Sequence, residues 1–345
     1  MQNNVLEGFA NGNLTVVERA VMEKFAHIER CSIFLSSHNT PTPNVVDWEA
    51  CNAGEHLFYF DSSLITLDYP AMAAIVTRWL ACLKIVDAYN TSVRPTGRTS
   101  FDIGDVSLGY GLRFSDHRSD AWLIPDSDFL SSNSYEGARE AFGTGAPTWD
   151  YRQTIAIWRG SSSGRSSTGL MQIPRVQLCR LAAQEDAQGL IDAGITAIVQ
   201  ARTPEEAEVL QNSGLCRFHM PLSNIVNFKM QIDVDGNSNA WAGLFQKLLT
   251  GSAVLKVASN QGCRQWYYSR LVPWQNYVPV SADMSDLKDI VKYLVAHDTV
   301  AQAIGAAGRQ LVTAMTLEAE VKACLDTVEG AMRENAWRAT HMKDA

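Results

Sequence analysis

The sequence predicts an α/β chain of two domains, and three observations carry that expectation. From Thr154 onward, short β-branched or apolar runs alternate with segments of helical spacing. A less regular alternation of the same kind fills the N-terminal half, and Gly143 to Pro147, a stretch of Gly, Ala, Thr and Pro, separates the two. With 345 residues, 46% hydrophobic and 19% charged, the chain has apolar material for two cores.

In chain order, the first expected element is a helix around Val16 to Ile28, followed by a strand at Ser32 to Ser36. Tyr69 to Tyr89 is the longest apolar stretch, but Arg78, Lys84 and Asp87 interrupt it. It reads as a long amphipathic or buried helix from Pro70 to Ala88 and is too polar to span a membrane. Strands near Ser100 to Ile103 and Ala121 to Ile124 complete a second α/β domain.

Beyond the hinge, Thr154 to Trp158, Ile195 to Gln200, Phe228 to Val234, Ala253 to Val257 and Tyr277 to Val280 read as strands. Val176 to Asp186 and Pro204 to Asn212 read as helices; Thr203 caps the second, with Pro204 at its first position and acidic residues in its first turn. Such alternation implies a parallel sheet covered on both faces, hence a Rossmann-like domain. The expected division is 1–146, 147–314 and terminal helices over 315–345.

Composition narrows the function. A formal charge of -8 argues against a nucleic-acid surface, which needs dense Lys and Arg, but leaves nucleotides open as small ligands. Seven cysteines are scattered without a close pair, a pattern of reduced, buried thiols and not of a disulfide framework or zinc site. Met1 to Leu14 has no cationic start followed by an apolar run, so a cytoplasmic chain is expected.

In open parallel sheets, ligands sit beyond the carboxyl ends of strands, so the loops there deserve most weight. Trp158-Arg159-Gly160-Ser161-Ser162-Ser163-Gly164-Arg165 follows a strand at once. Its glycines allow close backbone approach, its serines offer hydroxyls, and Arg159 and Arg165 can fork onto phosphate oxygens. The bland alternative is a flexible linker.

Asp233-Val234-Asp235-Gly236-Asn237-Ser238-Asn239 follows the next such strand and leads into Ala240 to Thr250, an amphipathic helix with Leu244 on its apolar face and Lys247 turned to solvent. Asn237, Ser238 and Asn239 are candidate N-caps, so free helix amides would face a pyrophosphate. Asp233 and Asp235 could instead hold a divalent cation or merely form a turn. The aromatic run Gln265 to Val280 reads chiefly as core.

The loop Trp158 to Arg165, the run "FKMQIDVDGNSNAWAGLFQKLLTGSAVLKV" from Phe228, "QWYYSRLVPWQNYVPV" from Gln265, "DMSDL" from Asp283 and "HDTVAQAIGAAGRQL" from His297 together resemble glycosyltransferase family 90, the CAP10-like and lipopolysaccharide-modifying enzymes that include Rumi-type O-glucosyltransferases. The resemblance covers about Trp149 to Ala314. It implies a GT-B-like architecture, two Rossmann-like domains facing across a cleft, a UDP-sugar donor held mainly by the second domain, and no obligatory metal or other cofactor.

By that resemblance Arg159, Gly160, Ser161 and Arg165, with Asp235, Gly236, Asn237 and Ser238, are expected around the donor diphosphate. Many members carry arginine where this chain has Leu244, so neutralisation must come from elsewhere. Phe101-Asp102-Ile103-Gly104-Asp105 and Phe114-Ser115-Asp116 resemble the family's base region, with Asp105 at the base position and Asp102 and Asp116 in reserve.

The implied activity is inverting transfer of a hexosyl or pentosyl group to a hydroxyl of a glycan acceptor. Lipopolysaccharide or another surface glycan, lipid-linked acceptors included, fits an enzyme working at the inner face of the membrane. Two alternatives stand beside it: a nucleotide-sugar-binding protein with little turnover, and a metal-dependent GT-A-type transferase using Asp233 and Asp235.

Overall fold

The structure, a computed structural model, describes residues 31–36, 42–51, 54–105, 111–143 and 146–341. The helix expected at Val16 to Ile28 lies outside the described residues. The chain forms two compact α/β units: residues 135–315 make one, and 1–134 with 316–345 the other.

The unit of residues 135–315 is built on five strands, β7 (Gln153–Ser161), β8 (Ile191–Ala197), β9 (Phe228–Asp233), β10 (Ala253–Val257) and β11 (Val278–Val280). Their order is β11-β10-β9-β7-β8, and every pairing is parallel. All residues of β9 and β10 are buried, as strands covered on both faces must be. From β7 the chain steps outward to β8, then crosses back to continue at β9 on the other side. The order therefore reverses between β7 and β9, and at such a switch point the outgoing turns diverge and leave a crevice.

Strand β7 is longer than expected, so Arg159, Gly160 and Ser161 are strand residues and the loop begins at Ser162. The helix after it, Pro174–Ala182, starts early enough to take in Arg175. Helix Pro204–Gln211 is capped as expected, Thr203 Oγ1 accepting from Glu206 N at 3.3 Å.

The other unit carries β1 (Cys31–Ser36), β2 (Val45–Ala50), β3 (His56–Asp61), β4 (Gly97–Asp102), β5 (Leu112–Arg113) and β6 (Trp122–Leu123), in the order β1-β3-β2-β4-β5-β6. β2 runs antiparallel to both β3 and β4, while the remaining pairs are parallel. Helix Tyr69–Asn90 opens on Asp68, whose carboxylate accepts from Ala71 N at 2.9 Å. It buries Trp79 edge-on against Phe58 and Phe60, with ring centroids 5.4 and 4.9 Å away.

The division between units differs from the expected one at two places. Helix Glu136–Gly143 belongs with the parallel sheet, because Tyr135 packs on Phe245 at 5.0 Å and Arg139 donates to the carbonyls of Val312, Thr313 and Met315. The terminal segment is one helix, Leu317–His341, and packs with the mixed sheet. A Cβ on Gly330 would lie 2.4 Å from the Trp122 ring, so only glycine allows that approach, and Trp122 Nε1 donates to Glu334.

Candidate functional site

The turns after β7 and β9 meet at the switch point, and the side chain joining them is Arg175. Its Nε donates to the carbonyl oxygens of Val234 and Asp235 at 3.3 and 3.2 Å, and its Nη1 donates to Ser163 Oγ at 2.6 Å and to Ser161 Oγ at 3.4 Å. The guanidinium also stands 5.9 Å from the Trp158 ring. Burial pushes the Arg175 pKa below the ordinary arginine value, with Asp233 and Asp235 opposing that shift.

Arg159 is elsewhere. Its Nη2 meets Asp192 Oδ2 at 2.6 Å, and its Nη1 donates to the carbonyls of Asp192 and Trp158, both at 2.9 Å. Asp192 is the second residue of β8, so this guanidinium points back along the sheet and away from its carboxyl end. As a strand residue Arg159 is captured by the neighbouring strand and does not reach the crevice where it was expected; the arginine that stands there is Arg175. Gly160 folds under Trp158, where a Cβ would come within 2.7 Å of the indole. Ser161 remains at the crevice, its Oγ 3.1 Å from Ser163 Oγ.

Beyond the ends of β9 and β10 lies a small, partly open cleft of about 40 Å³. Arg165, Asp235, Gly236 and Ser238 line it together, facing Ser259 to Gln261. Ser238 is 2% exposed, and its hydroxyl has no hydrogen-bond partner. Asp235 Oδ2 is likewise buried without one. Asn237 sits half-buried in the same turn, which closes through Gly236 N donating to Asn239 O at 3.2 Å. Four of the expected contact residues thus share one cleft, with Ser161 at the adjoining crevice.

A chain of ion pairs runs beneath. Asp233, wholly buried, accepts from Lys247 Nζ at 2.7 Å and Lys256 Nζ at 3.1 Å, and Lys256 also meets Asp235 Oδ1 at 3.1 Å. Burial pushes the Asp233 carboxyl up, but the two lysines bring it down to about 2. For Asp235 burial wins, and its pKa is raised despite Lys256. Burial acts to lower the Lys256 pKa, and the two aspartates carry it above the ordinary lysine value.

Lys247 therefore does not face solvent as its helical position suggested; it reaches down to Asp233. The two aspartates are engaged by lysines, and among the described residues no group of three His, Cys, Asp or Glu could hold a metal. With Arg175, three cations stand against two carboxylates, an excess of one positive charge at the crevice. Leu244, which the resemblance sets against an arginine in many members, is fully buried in the core.

The next helix begins at Ala242, later than expected, with Trp241 at its N-cap and φ of +49°. Asn239 Oδ1 accepts from Trp241 N at 2.7 Å and so supports this entry turn. The N-cap expected at Asn237, Ser238 or Asn239 therefore falls at Trp241 instead.

In the other unit, Asp105 follows β4, and its Oδ1 accepts from Arg78 Nη2 at 3.0 Å. Arg78 Nη1 donates to Ile103 O at 3.0 Å, so one guanidinium fixes both the loop and the carboxylate. Asp102 and Asp116 are both buried, and Asp116 is held by Arg113 and Arg118. Asp105, with its side chain 36% exposed, is the accessible carboxylate of the three.

Arg175 and Lys256 escaped the sequence reading. Each had a signal: an arginine in the first turn of a helix opposes the helix dipole, and a lysine in a strand buried on both faces needs partners.

Residues 135–323, more than half of the chain, match the family model described as glycosyl transferase family 90. Among curated proteins, the chain is 27% identical over 168 residues to Protein O-glucosyltransferase 2 of Danio rerio, covering 49% of this chain and 30% of that one. It is 31% identical over 168 residues to Protein O-glucosyltransferase 3 of Homo sapiens, covering 48% and 29%. The chain thus spans less than a third of the length of these relatives. The crystal structure of TarM aligns with a TM-score of 0.38 at 12% identity, covering 53% of this chain and 36% of that one.

Proposed function

The chain belongs to glycosyltransferase family 90, and from that premise we propose that it moves a sugar from a UDP-sugar to a hydroxyl of a glycan acceptor with inversion at the anomeric carbon. The observation that carries the donor half is the Arg175 clamp across the switch point. A pyrophosphate there would meet an excess positive charge, the orphaned Ser238 hydroxyl and the amides of a turn built close to the guanidinium.

In this reading Asp105 takes the proton of the acceptor hydroxyl as its oxygen bonds to the anomeric carbon. The bond from that carbon to the β-phosphate oxygen breaks, and UDP leaves with the electron pair, its charge met by Arg175 and Arg165. Arg78 acts on Asp105 as a positioning residue. No metal enters any of these steps. A surface glycan, lipid-linked or free, and work at a membrane face fit the family and are part of the proposal.

The experiment is a UDP-release assay with a UDP-sugar and an oligosaccharide acceptor. Asp105→Asn is expected to cut turnover by about 10²- to 10³-fold while UDP affinity holds. Undiminished turnover would remove Asp105 from the mechanism. Binding of UDP-sugar without turnover in the wild-type chain would instead favour the reading as a nucleotide-sugar-binding protein, which the buried Leu244 keeps in view.

A further inference from the structure

The turn that leads into β11 carries a tryptophan which its backbone does not favour. Trp274 has a φ of +62°, in the left-handed region that suits glycine or asparagine. The turn holds it there. Trp274 N donates to Tyr277 O at 2.8 Å, and the amides of Gln275 and Asn276 donate to Val272 O at 3.1 and 3.2 Å. The Asn276 side chain, 8% exposed, accepts from Val272 N at 2.8 Å and donates to Arg270 O at 3.0 Å, so both ends of its amide fix the turn. Glycine at 274 would make the same turn without strain; the tryptophan adds a ring.

That ring is not core. Trp274 is 45% exposed, and Tyr293, from helix Leu287–Ala296, is 43% exposed. The two rings meet edge to face at 5.9 Å, and Tyr293 in turn stacks on His297 at 4.2 Å. The indole is thereby braced with part of its surface in water, a platform that loses little side-chain entropy when something settles on it.

The next two residues of the turn, Gln275 and Asn276, line an open groove of about 380 Å³ against helix Asp298–Thr313 and the residues just after it. Arg270 and Gln310 extend its polar lining, and Ala307 and Leu311 give it an apolar floor. The side-chain amides of Gln275 and Gln310 are exposed and bond to no group among the described residues. Arg270 brings the one charge of this lining, which holds no carboxylate.

Amides and a guanidinium beside a braced ring offer directional hydrogen bonds together with one apolar face. A sugar ring is the counterpart of such a surface: hydroxyls line its rim, and its C–H face, slightly positive, suits the negative face of an indole. A lipid surface would strip water from two amides and return no hydrogen bond. The volume lies within the ~300 to 1,000 Å³ of small-ligand sites. The place is apart from the donor cleft. The turn enters the amino end of β11, whereas Ala282, just past its carboxyl end, lines that cleft, with roughly 10 Å of strand between them.

We propose that Trp274, Gln275 and Gln310 form a second carbohydrate site, which holds an uncharged stretch of glycan away from the reacting sugar. From the reading above this takes only that the acceptor is a glycan.

An array of immobilised neutral and acidic oligosaccharides, probed with the labelled full chain, tests the site. Wild type is expected to retain neutral oligosaccharides and to show no preference for carboxylated or sulfated ones. Trp274→Gly removes the ring and suits the backbone, so it should melt close to wild type while binding the retained glycan at least about tenfold more weakly. Gln310→Ala, at an exposed helical position, should weaken it about three- to tenfold and serves as the second variant. UDP affinity should stay within about twofold of wild type in both. An array that retains only acidic glycans or none, or a glycan held equally well by both folded variants, would overturn the site and leave the donor reading standing. A wild type that retains neutral glycans through Trp274 but binds no UDP would support the site and overturn the donor reading alone.

Discussion

Nη1 of Arg175 lies 2.6 Å from Ser163 Oγ, and that contact joins the turn after β7 to a guanidinium whose Nε holds two carbonyls of the turn after β9. One half-buried arginine thus joins both walls of the crevice at which the strand order reverses. An arginine that already satisfies backbone carbonyls with one edge is pre-organised, so little side-chain entropy is lost when an anion meets the rest.

Gly236 tests how tight this arrangement is. A Cβ there would stand 3.2 Å from both Arg175 Nη2 and Ser163 Oγ. Gly236→Ala is expected to leave the melting temperature nearly unchanged and to weaken UDP about three- to tenfold by pushing the clamp aside. UDP affinity equal to wild type would show that the clamp is not where phosphate binds.

Arg159 is expected to matter for stability. Arg159→Ala removes a pair whose aspartate is 42% exposed, so solvent screening limits the loss to about 1 kcal/mol, read as a lower melting temperature. Pyrophosphate binding should survive. A variant that melts like wild type and no longer binds pyrophosphate would return Arg159 to the phosphate site.

Asp233 gives a pH dependence of known sign. Its carboxyl is held at about 2 in the folded chain against an ordinary 3.8. The folded state therefore binds this proton less readily than the unfolded one, so the contribution, about 2 kcal/mol, is present above pH ~4 and lost as pH falls toward 2. In urea unfolding, wild type should lose about 1 kcal/mol more than Asp233→Asn between pH 6 and pH 3. Equal losses would mean that the lysines do not hold Asp233 in this way.

Much of the parallel-sheet unit was legible in the sequence. Ala253–Val257 was placed to the residue because a continuous apolar run bounded by Gly251-Ser252 and Ala258-Ser259 leaves little choice, and the Thr203 cap fixed Pro204–Gln211. The mixed sheet was harder. β2 and β3 went unseen although Val46, Trp48 and Ala50 alternate with Asp47 and Glu49: both strands are short, and their burial comes from pairing with strands distant in sequence. Asp235, Gly236 and Ser238 lie together at one cleft, as a turn of that local chemistry allows. Arg175 and Lys256 were missed since their partners, the carbonyls of another turn and two aspartates at the end of a neighbouring strand and in the turn after it, adjoin them only once the sheet is assembled.

The most direct measurement is the calorimetric titration of UDP into the wild-type chain, Arg175→Ala and Arg175→Lys, each first shown to melt cooperatively. Wild type is expected to bind, Arg175→Ala to bind at least about thirtyfold more weakly, and Arg175→Lys to recover little, because an ammonium cannot span two turns as a guanidinium fork does. Folded Arg175→Ala that binds UDP as tightly as wild type would contradict the placement of the diphosphate at this crevice.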